Sequence, residues 1–285
     1  MAFSVTMMAN NLGAEEYLSF TQWAVSQGIE INGVALVEIP GRHLGMVTTR
    51  LIEVGSSSNS SICYPTMTDV TPRMKENEII VTVPLAAMLT IDCVPRSFVN
   101  LFLDGKSIHG ILAAFLTHGD PDLLKRWDNW REVWPTRQDF EDSMPILWPE
   151  HLRASNTTFH SKPPSSRKTL PPSVSGQWNW IDKKSEDIEY ETRHQNLLAQ
   201  QEKRLQEAWR NVVSVFPDTD WDTFSYHWFI LNTRSFFYVT PGEEAPEDWN
   251  NAIALVPFAD YFNHVDGAVS DTVPRLLPSN TTMRN

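Results

Sequence analysis

Apolar and polar positions alternate in two rhythms along the chain, and the rhythm changes several times. Tyr17, Phe20, Trp23 and Ala24 recur at helical spacing, which predicts an amphipathic helix over 13–29, with Gly28 suited to its end. The pattern then becomes β-rich. VALVEI (34–39) runs into Pro40 and Gly41, and EIIVTVP (78–84) follows a Ser- and Asn-rich loop at 56–61. Two strands flanking GRHLGM (41–46) predict a hairpin-like start to a small sheet.

From about residue 96 the helical rhythm returns. Ile108, Ile111, Leu112, Phe115 and Leu116 share one face, and Gly119 ends the run. Trp127, Trp130 and Trp134 follow at steps of three and four. Helix-packing core is the favoured reading of these tryptophans, and a ligand cage is the alternative. Residues 154–176 collect breakers (Ser155, Pro163, Pro164, Ser165, Ser166, Pro171, Pro172, Ser173) and read as a disordered loop.

A long helix is predicted over about 185–216, with an apolar stripe of Leu198, Leu205, Trp209, Val212 and Phe216. Glu186, Asp187, Glu189 and Glu191 crowd its start, where negative charge suits the helix dipole. A second helix near 220–233 brings Phe224, Trp228 and Leu231 to one face. IALVPF (253–258) then reads as a short apolar strand, with DYFNH (260–264) directly after it. The stretch 266–285 is rich in Pro, Ser, Thr and Asn and keeps no period, and no internal repeat is visible.

Composition narrows the class. A chain of 285 residues, 41% of them hydrophobic, can bury a sizeable core in one large domain or two smaller ones. A formal charge of −12 argues against a dominant nucleic-acid role and suits a basic protein partner. Cys63 and Cys93 have no CxxC or Cys/His spacing, so neither a disulfide framework nor a zinc finger is expected, and free thiols suit a reducing compartment. The first basic residue is Arg42, so no signal peptide or mitochondrial presequence is expected. The apolar stretch Ile111–Leu116 is far too short to span a bilayer. A monomer in the nucleus or cytoplasm is the expectation, with no membrane partner.

Three stretches could carry chemistry. In GRHLG (41–45) two glycines at a strand end would let backbone approach a ligand, or form an ordinary β-turn. In NTRSFFY (232–238), Arg234 sits among apolar neighbours. A buried guanidinium needs a partner, so it is either in a structural ion pair, for which Asp260 is a candidate, or a binding-site arginine. In VPFADYFNH (256–264), Asp260, Asn263 and His264 follow an apolar strand, where ligand sites often lie. Asp260 and His264 are four apart, on one face of a helix. No metal is expected there, because the histidines offer no matching i+4 partner or carboxylate triad. The plainer reading is that Asp260 caps a turn while Asn263 and His264 satisfy buried backbone groups.

The order of these elements is more specific than any one of them. GRHLGMVTTRLIEVG, EIIVTVPLAAMLT, a helical stretch containing MPILWPEHL, then NTRSF and LVPFADYFNH together resemble SET-domain protein-lysine methyltransferases of the Rubisco large-subunit methyltransferase-like class, over about residues 15–265. The resemblance implies an α+β fold. Small SET-type sheets (15–95 and 231–265) would be interrupted by a helical insert (96–230) and followed by an irregular tail (266–285). It also implies S-adenosylmethionine as methyl donor and a lysine-containing protein as substrate. Arg42, His43 and Leu44 match the family's cofactor-binding turn, and Asn263 and His264 its cofactor-binding pair. Arg234 matches an arginine contacting both cofactor and substrate, and Tyr238 and Asp260 match positions on the substrate side.

The family's catalytic tyrosine lies C-terminal to the Asn-His pair, and no tyrosine follows His264. Val265 replaces a smaller residue, and His43 stands at the usual central glycine of the turn. The expectation is an S-adenosylmethionine-dependent protein-lysine methyltransferase homologue, C-terminally truncated and lacking the catalytic tyrosine segment, so that activity of this chain is left open. The alternative is a non-catalytic SET-like protein-binding module.

Overall fold

The computed structural model describes residues 11–39, 43–50, 74–75, 77–102, 107–149, 197–240, 242–248 and 251–262. The breaker-rich segment at 154–176, the first turns of the helix expected from 185 and the 266–285 stretch lie outside them. The chain divides into two compact units, one made of 1–30 with 82–260 and the other of 31–81 with 261–285. Among the described residues no helix is long and apolar enough to cross a membrane.

The first unit is mainly helical. Helix α1 (Asn11–Ser26) buries Phe20 and Ala24, as its spacing predicts. It closes in a Schellman turn: Ile29 N donates to Ala24 O at 3.1 Å, Gly28 N donates to Val25 O at 2.9 Å, and Gly28 has φ +81. A left-handed residue closes the turn without strain only as glycine. Short helices α2 (Arg96–Val99), α4 (Pro121–Leu124), α5 (Asp128–Arg131) and α6 (Arg137–Ser143) surround the longer α3 (Ile108–His118), α7 (Leu197–Val215) and α8 (Trp221–Arg234). Thr136 and Asp139 form a capping box at the start of α6, Ser107 caps α3, and Asp220 caps α8.

Helix α8 departs from expectation in an informative way. The spacing placed Phe224, Trp228 and Leu231 on one face, and all three are buried. Ser225, His227, Phe229 and Ile230 are buried as well, so nearly the whole circumference is covered. Helices α3 and α7 both pack on it, and Phe140 of α6 meets Phe229 with ring centroids 5.7 Å apart. A helix buried all round is a central one. Between α3 and α7 the approach is close because small residues meet: a Cβ added at Gly110 would lie 3.3 Å from the Ala208 Cβ.

Gly119 ends α3, but not by adopting a left-handed conformation. Its φ is −62 and ψ 161, which any residue can adopt. Glycine is needed there because a Cβ would run into Phe115 O and lie 2.7 Å from the Phe115 ring. Trp127, Trp130 and Trp134 are all buried, in agreement with the core reading. Trp127 Nε1 donates to Ala87 O at 3.0 Å, and the Trp130 and Trp134 rings meet edge-on at 5.5 Å.

The small sheet of this unit joins β5 (Ser235–Phe237) to β6 (Ile253–Leu255), antiparallel, with Ser235 opposite Leu255 and Phe237 opposite Ile253. On the far side of β6, Leu89 and Leu255 exchange backbone hydrogen bonds at 3.0 Å. IALVPF is thus a strand only as far as Leu255. Pro257 has no N–H for a ladder, and Phe258 turns the chain with φ 70.

The second unit contains the hairpin of β2 (Val34–Ile39) and β3 (His43–Thr48), with Ile39 opposite His43 and Val34 opposite Thr48. This corrects the expectation of strands flanking 41–46. HLGMVT is itself the partner strand, and Gly45 is tolerated in it opposite Val37. EIIVTVP supplies only the two residues of β4 (Val81–Thr82), which pair with β1 (Glu30–Ile31). Ile79 is exposed, and Pro84 leads into a 3₁₀ turn, so a longer strand would bury little. Near it Arg50 Nη2 pairs with Glu78 Oε1 at 2.7 Å, and Asn32 Nδ2 donates to the same oxygen at 2.8 Å.

Candidate functional site

Two of the residues singled out in the sequence meet at the end of α8. Arg234 is the helix's last residue, and Asp260 sits in the single 3₁₀ turn Ala259–Tyr261 that follows β6. The β5–β6 ladder brings these ends together, because it returns the chain from Leu255 to the base of the helix that ends at Arg234. Arg234 Nη1 donates to Asp260 Oδ2 at 2.9 Å and to the Asp260 carbonyl at 3.2 Å. Arg234 makes further contacts besides these.

The Asp260 side chain is 0% exposed, and that of Arg234 is 15% exposed. Burial lifts the Asp260 carboxyl to about 6, and the nearby Arg234 charge and hydrogen bond offset only part of that rise. The desolvation cost of the carboxylate therefore exceeds what its partner returns, as is common for buried pairs. Trp130 contributes a smaller lowering effect as a donor. That contact is poorly aligned, since neither Trp130 Nε1 nor Asp260 Oδ1 completes a hydrogen bond of good geometry. Trp130 thus lies against the buried carboxylate without completing a hydrogen bond to it, a neighbourhood that the tryptophan spacing does not signal.

The turn holding Asp260 is itself strained. Phe258 is fully buried yet left-handed, a conformation that disfavours any residue with a Cβ. Asp260 and His264 were placed on one helical face by their spacing. The described helical turn ends at Tyr261, and His264 lies outside the described residues.

Tyr238 follows β5 and is buried, its backbone N donating to Ala252 O at 2.8 Å. Burial raises its phenol pKa, and Asp92 adds to the rise. The hydroxyl completes no well-formed hydrogen bond. Thr240 beside it gives its own hydroxyl to Asp92 Oδ2 at 2.9 Å. Ser235 Oγ, at the other end of the strand, is also buried without a partner.

Of the turn expected to hold a cofactor, Leu44 is half-buried in β3 opposite Glu38. The His43 backbone belongs to the same strand, while Arg42 and the Asn263–His264 pair lie outside the described residues. Among the described residues no three His, Cys, Asp or Glu side chains could hold a metal ion together.

No family model matches the sequence, and no curated protein matches it. A solved structure does: the SET domain of LSMT bound to lysine and AdoHcy. The similarity has a TM-score of 0.53 at 15% sequence identity, and it covers 90% of this chain and 45% of that one. This chain therefore spans less than half the length of its structural neighbour. The likeness is one of fold: the protein has an α+β fold similar to that of a SET domain, with helices and small sheets.

Proposed function

We propose that the protein serves as an S-adenosylmethionine-dependent protein-lysine N-methyltransferase of the Rubisco large-subunit methyltransferase-like SET class. The observation that carries this reading is the fold similarity over 90% of the chain to a SET domain bound to lysine and AdoHcy. In this reading 15–95 and 231–265 make up the SET core and 96–230 the helical insert. The protein acts in the nucleus or cytoplasm on a lysine-containing protein.

The residues at the Arg234 end of α8 are of the right kind to hold such a cofactor. Ser235 Oγ, Tyr238 OH and Asp260 Oδ1 are buried polar atoms without well-formed partners, within one short stretch of strand and the turn bonded to it. Each such atom costs about 1–3 kcal/mol unless something completes its hydrogen bonding, and a bound polar ligand would do so. Arg234 would offer its guanidinium to an anionic group, with Asp260 fixing its direction. By the family resemblance alone, Arg42, His43 and Leu44 are proposed as the cofactor-binding turn, acting through backbone groups, and Asn263 and His264 as the pair that contacts the adenine through its backbone. S-adenosylmethionine, when bound, supplies a methyl group on a positively charged sulfur.

The rest is the work of the protein. A lysine ammonium has a pKa of ~10.4, so only roughly one in 10³ is neutral at neutral pH. A dry channel lowers that pKa by desolvation and makes the amine available. Tyr238 and Asp260 would line the amine's side and help aim its nitrogen in line with the methyl, within about 3–3.5 Å.

Calorimetry with S-adenosylmethionine and radiolabelled methyl transfer onto a protein pool test the reading separately. The two outcomes are distinct because the sequence carries no tyrosine after His264. Binding with transfer to lysine supports the enzyme. Binding without transfer selects the non-catalytic SET-like module, and absence of both refutes the proposal.

A further inference from the structure

The helical unit has a polar concavity that the methyl-transfer reading leaves unused. It is a cavity of about 310 Å³ lined by Asp128, Arg131, Glu132, Trp134, Tyr226 and His227. Most of these groups are already engaged. Arg131 Nη1 donates to Asp128 Oδ1 at 3.2 Å, and the Tyr226 hydroxyl donates to Pro135 O at 3.0 Å. Glu132 is exposed and has no ion pair among the described residues, so two carboxylates and one guanidinium line the cavity.

His227 is the informative residue. It is only 6% exposed, and its Nδ1 lies 2.9 Å from Thr117 Oγ1. The Thr117 hydroxyl gives its single proton to Ala113 O at 2.7 Å, so towards His227 it can only accept. Nδ1 therefore carries the ring proton, and Nε2 keeps its lone pair. Across a five-membered ring the Nε2–Cδ2 edge is opposite Nδ1, so that edge faces away from Thr117 of α3, and His227 lines the cavity. Burial, with Arg131 and His118 adding to it, holds the ring neutral, its pKa lowered to about 3. A nearly buried imidazole thus offers an unused acceptor to a cavity with one net negative charge.

The ligand that fits is a flat cation rich in donors. A guanidinium has N–H groups fixed in a plane, pairs with carboxylate and stacks on aromatic faces, and here it would find Glu132, His227 Nε2 and the rings of Trp134 and Tyr226. An anion would face Asp128 and Glu132, find no donor on His227, and meet in Arg131 a guanidinium already paired with Asp128. The volume is at the low end for ligand sites, enough for one side chain. We propose that this cavity binds an arginine side chain of a protein partner. The formal charge of −12 favours the approach of a basic segment. That the partner is a protein rests on the methyltransferase reading; the preference for a guanidinium does not.

Calorimetry on the 285-residue protein tests this with a short Gly/Ala peptide bearing one arginine, against the same peptide bearing citrulline, its neutral isostere. The arginine peptide is expected to bind and the citrulline peptide to bind more weakly, by up to about fivefold, the scale of one partly exposed charge pair. Glu132→Gln should weaken arginine binding by a similar factor. His227→Gln, which keeps an acceptor, should retain it, and His227→Leu should lose it. Glu132 is exposed, so its variant stays folded and decides the matter even where His227→Leu fails to fold. Equal binding of the two peptides, or indifference to Glu132→Gln, overturns the proposal. S-adenosylmethionine binding is read in the same instrument. Its absence beside intact arginine binding would sink the methyltransferase reading and leave this site standing.

Discussion

Lowering the pH from about 7 to about 5 acts on two buried groups of the helical unit in opposite directions. His227 is held at about 3 against an ordinary 6.5, first by burial and then by Arg131 and His118. Below 6.5 the unfolded chain takes up a proton that the folded chain refuses. Stability contributed by His227 is therefore present above that pH and lost as the pH falls. Over this interval the loss is ~2 kcal/mol. Asp260 behaves in reverse. Its folded pKa is raised to about 6 from 3.8, so from 6 downward the folded chain binds a proton that the unfolded chain does not. Its contribution is fully present below 3.8 and fades as the pH rises through 6, which amounts to a gain of ~1 kcal/mol on acidification to about pH 5. The two partly cancel, and the pair leaves a small net loss.

Urea unfolding followed by circular dichroism at both pH values, on wild type, His227→Gln and Asp260→Asn, exposes the cancellation. On acidification His227→Gln should gain ~2 kcal/mol relative to wild type, and Asp260→Asn should lose ~1 kcal/mol more than wild type. Asp260→Asn also weakens the partnership with Arg234, but that cost is present at both pH values and drops out of the difference. The carboxylates of Glu78 and Asp220, held low by hydrogen bonds from Lys75 N and Thr223 N, cancel in the same way. If His227→Gln follows the wild-type pH response, the neutral buried imidazole is refuted.

Other substitutions test other joints of the argument. Arg234→Ala and Asn263→Ala should each weaken S-adenosylmethionine binding in calorimetry; unchanged affinity in both would sink the site assignment. Gly119→Ala should lower stability by about 1–3 kcal/mol in thermal melts, because its Cβ meets Phe115 O and ring, and a neutral result would mean that α3 ends with more room than described. Phe258→Gly relieves a left-handed residue, worth roughly 1–2 kcal/mol, but empties a fully buried ring site, worth roughly 3–5 kcal/mol. Net destabilisation by denaturant titration is expected, and a stabilised variant would show that backbone strain dominates. Thr136→Ala removes half of a capping box and should cost ~1 kcal/mol, read from the shift in urea midpoint at unchanged slope.

The sequence by itself determined most of the elements, because their causes are local. Helix α1 with its Gly28 stop, α3 from Ile108 to Gly119, the core role of the tryptophans and α8 all follow from apolar spacing and chain breakers within a few turns. Arg234 and Asp260 were also legible as partners, since a guanidinium between Leu231 and Phe236 needs an acceptor and Asp260 was close at hand in the next motif. What tertiary structure decided was pairing and environment. The Pro40–Gly41 turn signals a hairpin, but not that HLGMVT rather than EIIVTVP is the partner of VALVEI, nor that EIIVTVP yields only Val81–Thr82. Spacing gave α8 one buried face, whereas α3, α6 and α7 cover nearly all of it and so bury His227 against Thr117. The same holds for Asp260: its identity is in the sequence, but its protonation near neutral pH comes from how fully the surrounding chain shields it from water, a sum over residues far apart in the chain.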